Sequence, residues 1–469
     1  MARRNTASRT GRKDAPAFRT VVDSRVERVH TVRAGRADGR RVQLTGYDLL
    51  TGPWYTPLTF FYRGTLDGAA LRDSLARTLR RYPLLSGRLV RDADGGLSVV
   101  CTDAGVRFTE ASCPGPMRDY GHSLRAQPVV GDLLREVSAF GVVGRDTPLL
   151  KIRLTRMSGG GSVLGVLINH TLADGGSTVA FLESWSREHL GLPWDGPAHD
   201  RDVLDRLGRP SADPATREAR AFVGTGRIRH LTTTLRAGIN KLATVTARFD
   251  AAELAALKAA AQRTLEEPGA WVSTNDALTA HLWQVLGELR ARPADATEWL
   301  GLIVGVRHRL GDLLPASYWG NCVSNSWTSL TAARLRESPL GLVARDVRRC
   351  LESNTEDKIR DEIAFLGSYR RRGVSRHVMS VRAPDVSRTS VSVNNWSQFP
   401  LYRIDLGAGR PFWYEFPDLP VPTVHIAPTP DEDGSRDVYL CLPESDAALM
   451  STQLWRERLH SYSGSRTGP

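Results

Sequence analysis

The chain has 469 residues, 41% of them hydrophobic and 24% charged, which is the composition of a globular protein large enough for two or three domains. No stretch is apolar for long enough to form a spanning helix. The net charge of +12 is concentrated at the start: residues 1–41 hold twelve Arg/Lys against four Asp/Glu, leaving +4 for the rest, a distribution that argues against a nucleic-acid-reading face.

No apolar run follows MARRNTASRTGRKD, so residues 1–20 read as a basic flexible tail and not as a secretory signal. Ser24 to Arg33 predicts an irregular first strand, and Thr56 to Tyr62 a second. Asp67 is placed to cap a helix whose Leu71, Leu75, Leu79 and Tyr82 share one face, ended by Pro83. Leu89-Val90 and Leu97 to Cys101 flank Asp94-Gly95-Gly96, a hairpin signal. A second hairpin joins Leu149–Met157 to Val163–Ile168 through Ser158-Gly159-Gly160-Gly161; with no Lys-Ser/Thr ending, that glycine run is a turn and not a phosphate loop.

Val163 to Ile168 is almost wholly apolar, as a strand buried on both faces requires. It ends in Asn169-His170, and Asp174-Gly175-Gly176 breaks the chain before a helix with Val179, Leu182 and Trp185 on one face and Ser177 as its expected cap. A histidine thus leaves the end of a core strand on a short glycine-bounded connection, where α/β sheets usually place reactive groups.

From Gly191 the chain turns Pro-, Gly-, Asp- and Arg-rich, and residues 196–240 read as a crossover linker between an N-terminal domain (21–195) and a C-terminal domain (241–469). The second half opens with a strand at Thr244–Phe249 and a helix for which Asp250 and Glu253 suggest a capping box. Ser273-Thr274-Asn275-Asp276 starts another helix, and Leu300–Val306 is a buried strand running into Arg307. Val391–Asn395 is a short strand; Thr423–Ala427 and Val438–Leu442 pair; Ser445 is the expected cap of the final helix. Strands and helices interleave in both halves, so the fold class is α/β with two similar-sized domains.

His170 with Asp174-Gly175 gives H-x-x-x-D-G, and its position between strand and helix marks it as the catalytic candidate. Rival chemistries lack their residues: there is no G-x-S-x-G, no Walker loop and no H-E-x-x-H. His170 has no neighbouring His or Cys, so no metal site is expected. The five cysteines, Cys101, Cys113, Cys322, Cys350 and Cys441, are widely spaced without C-x-x-C, which suggests a reducing cytoplasmic location. Only five of the 63 basic residues are Lys, and a GC-rich bacterial genome is the simplest source of that bias.

His170-Thr171-Leu172-Ala173-Asp174-Gly175 resembles the signature of the BAHD acyltransferases, which pass an acyl group from coenzyme A to an alcohol or amine. Asp405-Leu406-Gly407-Ala408-Gly409-Arg410-Pro411 resembles the family's second signature, D-F-G-W-G and a basic residue before Pro, with Leu406 and Ala408 replacing its aromatic pair. Asn395-Trp396 is similar to the Ser-Trp that precedes it. RRYPLLSGRLV (80–90), STNDALTAHLW (273–283) and VRHRLGDLLPASYWGN (306–321) are also similar to family segments. Asn169 stands where the related condensation domains carry a first histidine, which disfavours that branch.

The resemblance implies two chloramphenicol-acetyltransferase-like domains, each a mixed β-sheet flanked by helices, with an active-site tunnel at their interface. It implies His170 as general base, with direct transfer and no acyl-enzyme. Asp174 is then a structural partner of Arg307, and Asp405, Gly407 and Gly409 are structural residues of the site. Asn394 is the candidate oxyanion donor and Trp396 a pocket wall. Lys258, Ser273 and Thr274 lie in segments resembling the coenzyme-binding side, although Ser273 or Thr274 also suits a helix cap. Acyl-coenzyme A is the implied donor, with no permanently bound cofactor, and a small alcohol or amine the acceptor. A monomer without membrane or nucleic-acid partners is expected. An acyl carrier protein as donor, docking on the basic tail, or a catalytically inactive binding protein on the same fold are the alternatives.

Overall fold

The computed structural model describes residues 24–114, 141–225, 241–265, 269–382, 390–416 and 422–464. The expected tail and residues 226–240 of the expected linker lie outside them.

Five strands of the N-terminal half are β1 (Arg25–Val32), β2 (Tyr55–Tyr62), β3 (Val106–Cys113), β4 (Leu150–Met157) and β5 (Ser162–Asn169). The C-terminal half contributes β6 (Leu242–Phe249), β7 (Thr297–Gly305), β8 (Val323–Thr331), β9 (Ser390–Asn395), β10 (Trp413–Glu415), β11 (Thr423–Pro428) and β12 (Arg436–Pro443). They form two six-stranded sheets, ordered β1-β3-β4-β5-β2-β10 and β6-β12-β11-β9-β7-β8. Both are mixed: β3 runs parallel to β4, and β9 parallel to β7 and β11, while the other neighbours are antiparallel. Every residue of β5 is buried, as its unbroken apolar run requires for a strand covered on both faces.

The helices that bear on the site are α1 (Gly46–Thr51), α2 (Gly68–Leu79), α3 (Gly175–His189), α4 (Ala251–Arg263), α5 (Thr274–Arg290), α6 (Leu340–Glu352) and α7 (Glu356–Arg371). Asp67 caps α2 by accepting from the backbone of Ala69 and Ala70, as expected. In α6, Leu340, Val343, Ala344, Val347 and Cys350 form the buried stripe that helical periodicity dictates.

Three caps differ from expectation. Asp174, not Ser177, caps α3: its carboxylate accepts from the Ser177 backbone N–H, a stronger partner for the helix dipole than a hydroxyl. Asp250 caps α4, but Glu253 does not complete a box; its carboxylate goes to His460 Nδ1 at 3.0 Å. Ser445 sits inside the helix Glu444–Met450, which follows Pro443, and a further helix, Gln453–Leu459, succeeds it.

Two features depart from a division by chain position. β10 pairs antiparallel with β2, Tyr414 opposite Phe60, so a C-terminal segment completes the N-terminal sheet. Trp396, Leu401, Tyr402, Ile404 and Leu406 accompany it into the N-terminal core. The crossover is also no bare linker in its described part. Arg201, Leu204 and Phe222 are buried, and a third apolar cluster joins Leu204 and Phe222 to Tyr47 of α1, Val306 and Ile363 of α7. Its backbone is tied down as well: Asp361 accepts from Ser211 N and Glu362 from Ala221 N, each at 2.9 Å. The low apolar periodicity of this stretch concealed anchors that are largely polar.

Candidate active site

The antiparallel pairing of β5 with β2 and β4 ends at Asn169, and the chain turns through His170 to Asp174 before α3 begins. Asn169 is wholly buried and structural: its amide donates to Pro53 O at 2.8 Å, and its carbonyl accepts from the Thr171 hydroxyl at 2.6 Å. His170 follows half-buried. Its backbone N–H donates to Trp54 O at 2.8 Å, and the Trp54 ring lies 4.7 Å from the imidazole at a 50° tilt. Burial lowers the imidazole's pKa below its ordinary 6.5, against the opposing pull of nearby acceptors and of the Asp174 and Asp48 charges. The ring is therefore neutral at physiological pH and able to take a proton.

Asp174 has a different occupation. Its Oδ1 accepts from Arg307 Nη2 at 3.0 Å and Ser177 N at 2.9 Å, and Oδ2 lies 2.8 Å from Arg307 Nη1 and accepts from Cys322 N at 2.9 Å. The carboxyl is 2% exposed. Burial alone would raise its pKa, but the guanidinium and the two backbone donors outweigh it and hold the group ionised below its usual range. Arg307 opens a single helical turn at the end of β7, Arg307–Leu310, and its Nη2 also reaches Ser177 Oγ at 2.8 Å and Gly320 O at 2.5 Å. The pair thus joins the turn after β5 to the C-terminal half.

Gly175 has no room for a side chain, because an added Cβ would stand 2.5 Å from Trp396 Cζ2. Trp396, 5% exposed, follows β9 and donates its indole N–H to Asn394 Oδ1 at 3.0 Å. An indole nitrogen can only donate, so the Asn394 oxygen faces it and the amide NH2 points elsewhere. The end of β9 is in turn tied to α5, where Asn395 donates to Asn275 at 2.6 Å. Ser273 caps α5 in a reciprocal box with Asp276, and Thr274 is the first helical residue, so both stand beside the end of β9. Lys258 is exposed on α4. The structure therefore brings His170, Asp174, Gly175, Arg307, Asn394 and Trp396 into one constellation, with Ser273 and Thr274 at its border.

Asp405, Gly407 and Gly409 are not brought there. Asp405 Oδ1 accepts from the backbone of Gly407 and Gly409 at 2.9 and 3.1 Å, stabilising a loop in which both glycines have positive φ, +89° and +82°. The loop sits on the far part of α3: Ser186 Oγ donates to Asp405 O at 2.6 Å, and Gly407 lies against His189. At 1.5 Å per residue this is roughly 16–21 Å along α3 from Gly175. The loop is therefore remote from His170, and these three residues are not at the active site as expected. Leu406 is buried in the N-terminal core, and partly buried Ala408 faces Gly64, where an added Cβ would stand 2.9 Å from the Ala408 methyl group.

Sequence reasoning missed four residues around the turn. Asn321 Nδ2 donates to His170 O at 2.8 Å and to Asp48 Oδ1 at 2.9 Å. Asp48 Oδ2 lies 2.7 Å from Arg201 Nη1, both side chains at most 1% exposed, and Arg201 Nη2 donates to Leu172 O at 2.6 Å. Trp54 covers the imidazole from β2's leading edge. Only the similarity of the segment 306–321 to a family motif pointed towards one of them, Asn321; Arg201 lay in the stretch read as linker. Among the described residues no group of three or more His, Cys, Asp or Glu could hold a metal ion, and no helix is long and apolar enough to cross a membrane.

A family model described as the Transferase family matches residues 30–454. A shikimate O-hydroxycinnamoyltransferase from Nicotiana tabacum is 25% identical over 436 residues, covering 90% of this chain and 97% of the relative. Agmatine coumaroyltransferase-1 from Hordeum vulgare is 28% identical over 415 residues, covering 86% and 91%. These relatives are plant proteins and lend no support to a bacterial source. Among solved structures, F. graminearum TRI101 complexed with coenzyme A and deoxynivalenol superposes with a TM-score of 0.72 at 18% identity, covering 89% of this chain and 98% of that one. Vinorine synthase does so with a TM-score of 0.68 at 18% identity, covering 91% and 96%. They share the two-domain fold expected from the sequence.

Proposed function

Given that the chain belongs to the Transferase family, the BAHD acyl-coenzyme-A-dependent acyltransferases, we propose that it transfers an acyl group to a hydroxyl or amine of a small acceptor with His170 as general base. Acyl-coenzyme A is the cosubstrate. The names of the plant relatives, hydroxycinnamoyl- and coumaroyltransferases, point to an aromatic acyl group and to a role in specialised metabolism.

The observation that carries the assignment is the separation of His170 from Asp174. The imidazole is half-buried and held neutral by its surroundings, whereas the carboxylate is consumed by Arg307 and two backbone donors. In the reaction, the His170 ring takes the proton of the acceptor O–H or N–H as that atom attacks the thioester carbon, a step worth about 10²–10⁴-fold. The resulting oxyanion receives the free amide N–H of Asn394, whose orientation is set by the Trp396 indole. The tetrahedral species collapses by breaking the C–S bond, and the departing thiolate takes the proton back from the imidazolium. No acyl-enzyme forms. Ser273 and Thr274, at the N-terminus of the 17-residue α5, are the residues we assign to the coenzyme side, since helix N-termini favour phosphate; exposed Lys258 is the weaker assignment, through long-range attraction.

The test is thiol release by the purified protein with aromatic and aliphatic acyl-coenzyme A donors against alcohol and amine acceptors. Turnover that vanishes in His170→Ala supports the reading. Turnover that survives in that variant refutes the base assignment, and turnover only with a carrier-protein-bound donor refutes the choice of donor. Tight ligand binding without turnover across the panel identifies an inactive binding protein instead.

A further inference from the structure

Alternate residues of a strand point to opposite faces, so the register of the C-terminal sheet fixes what each face carries. Leu300, Leu302, Val391 and Val393 are buried in the C-terminal core with residues of α5 and α6. The other face holds Asn394, the oxyanion donor of the proposed reaction. Ile303 of β7 stands between Asn394 of β9 and Asn325 of β8. Two residues back along β7, about 7 Å away, Gly301 stands between Ser392 and Trp327. One step further lies Trp299, with the Arg382 guanidinium 3.5 Å above its ring. Trp299, Ile303, Trp327, Ser392 and Asn394 are all half-buried, so this face, unlike the core face, is within reach of a ligand.

The middle row is not what a purely structural sheet requires. Glycine weakens a strand interior and marks a close approach of another group. At Gly301 that group is the Trp327 indole: an added Cβ would stand 2.5 Å from its Cζ3 and 2.7 Å from its Cη2. The indole therefore lies across β7, in the row of Ser392. Its N–H is buried without a hydrogen-bond partner among the described residues, a cost in stability that phenylalanine or leucine would not carry there.

We propose that this row is the acyl platform: when the thioester oxygen meets Asn394, the aromatic ring of the acyl group lies against Trp327, which sets the preference for aromatic over aliphatic donors. The carbonyl oxygen is fixed in the row of Asn394, and a planar chain leaving that carbonyl along the strands reaches the Trp327 row in one pleat repeat, about 7 Å. Ser392 carries little bulk beside the indole, which leaves space for a second ring. Aromatic rings gain from offset or edge contact with an indole beyond the area they bury. Charge favours the acyl group over a protonated amine acceptor as the occupant, because these rows carry no carboxylate and their far end carries the Arg382 guanidinium.

The inference rests on the acyl transfer proposed above, and the experiment keeps the two apart. Full-length protein is assayed with p-coumaroyl-, benzoyl- and acetyl-coenzyme A at a fixed acceptor, and kcat/KM for each aromatic donor is divided by that for acetyl-coenzyme A, a ratio in which any unfolded fraction cancels. Wild type should favour the aromatic donors, Trp327→Ala should lower the ratio roughly tenfold or more, and Trp327→Phe should keep most of it. Gly301→Ala, which retains the indole but drives it off the row, should lower the ratio as well. A wild type without aromatic preference, or a ratio unmoved by Trp327→Ala, overturns the inference. So does a donor ratio that holds while a preference for 2-phenylethylamine over butylamine, or 2-phenylethanol over butanol, is lost, since the acceptor would then occupy the platform. Calorimetric affinities of His170→Ala for benzoyl- and acetyl-coenzyme A, with and without Trp327→Ala, read the same preference without turnover. Absence of turnover in wild type, or its persistence in His170→Ala, defeats the acyl-transfer reading; an affinity ratio unchanged by Trp327→Ala defeats only the platform.

Discussion

Asp174 turns both carboxylate oxygens to Arg307, at 3.0 and 2.8 Å, across 133 residues of chain, while His170, four residues before it, leaves Nδ1 without a hydrogen bond. The two polar residues of the H-x-x-x-D-G turn therefore carry separate loads. Asp174 holds the turn to the C-terminal half, and His170 is left for the chemistry proposed for it.

Replacing His170 by alanine should abolish turnover and leave the fold nearly untouched. The half-buried ring packs on Trp54, so the cost in stability is expected to be about 1 kcal/mol. Thermal melting of His170→Ala beside wild type measures it; a severe loss of stability would show that the residue is structural.

Asp174→Asn should behave in the opposite sense. Two Arg307 nitrogens and two backbone N–H groups converge on the carboxylate, and an amide can accept with only one of its two heavy atoms. The expected cost is about 3 kcal/mol, the lower end for breaking a buried pair because the Arg307 side chain is 27% exposed. Because the folded pKa of Asp174 is depressed, its contribution is present above the ordinary carboxylate value of 3.8 and is lost as pH falls through the folded value. Urea midpoints of both forms at pH 7 should differ clearly, and the difference should shrink in strong acid. Equal midpoints at pH 7 contradict the clamp.

Gly175→Ala brings a methyl group to 2.5 Å from the Trp396 indole and 3.1 Å from Phe399. Both rings belong to the packed C-terminal segment, so the indole must move and Asn394 with it. A loss of about 1–3 kcal/mol is expected, together with a fall in kcat larger than any change in KM. A variant as stable and active as wild type shows that this packing tolerates a side chain.

The pH dependence has a definite sign. His170 and His281 are both held below their ordinary 6.5 by burial, so the unfolded chain takes up protons that the native state refuses. Stability is unaffected above that value and declines as pH drops below it. For His281, whose pKa is lowered to about 4 and whose Nε2 lies 2.7 Å from Leu459 O, the decline amounts to about 3 kcal/mol by pH 4. Urea unfolding at pH 7 and pH 5 should show it, and His281→Gln should lose less over the same interval. The kcat–pH profile should separately show an acidic limb centred below 6.5, set by His170.

What the sequence determined by itself is the local structure. The apolar run of β5, the stripe of α3 and the caps at Asp67 and Ser273 follow from side-chain period and capping chemistry within a few residues, and the structure keeps them. The H-x-x-x-D-G turn was legible for the same reason, and similarity to known motifs supplied the link from Asp174 to Arg307. What only the tertiary structure decided is where long-range partners meet. Arg201 looked like one arginine among many in a polar stretch, yet it is buried against Asp48 across 153 residues of chain. Asp405, Gly407 and Gly409 carried a signature but settle on the far part of α3, because Ser186 and the N-terminal core hold that loop there. β10 is three residues long and completes a sheet formed by the other half. Periodicity reports which face of an element is buried; it carries no information about which distant group will satisfy a buried charge or an open sheet edge, and that choice is made only when the whole chain has packed.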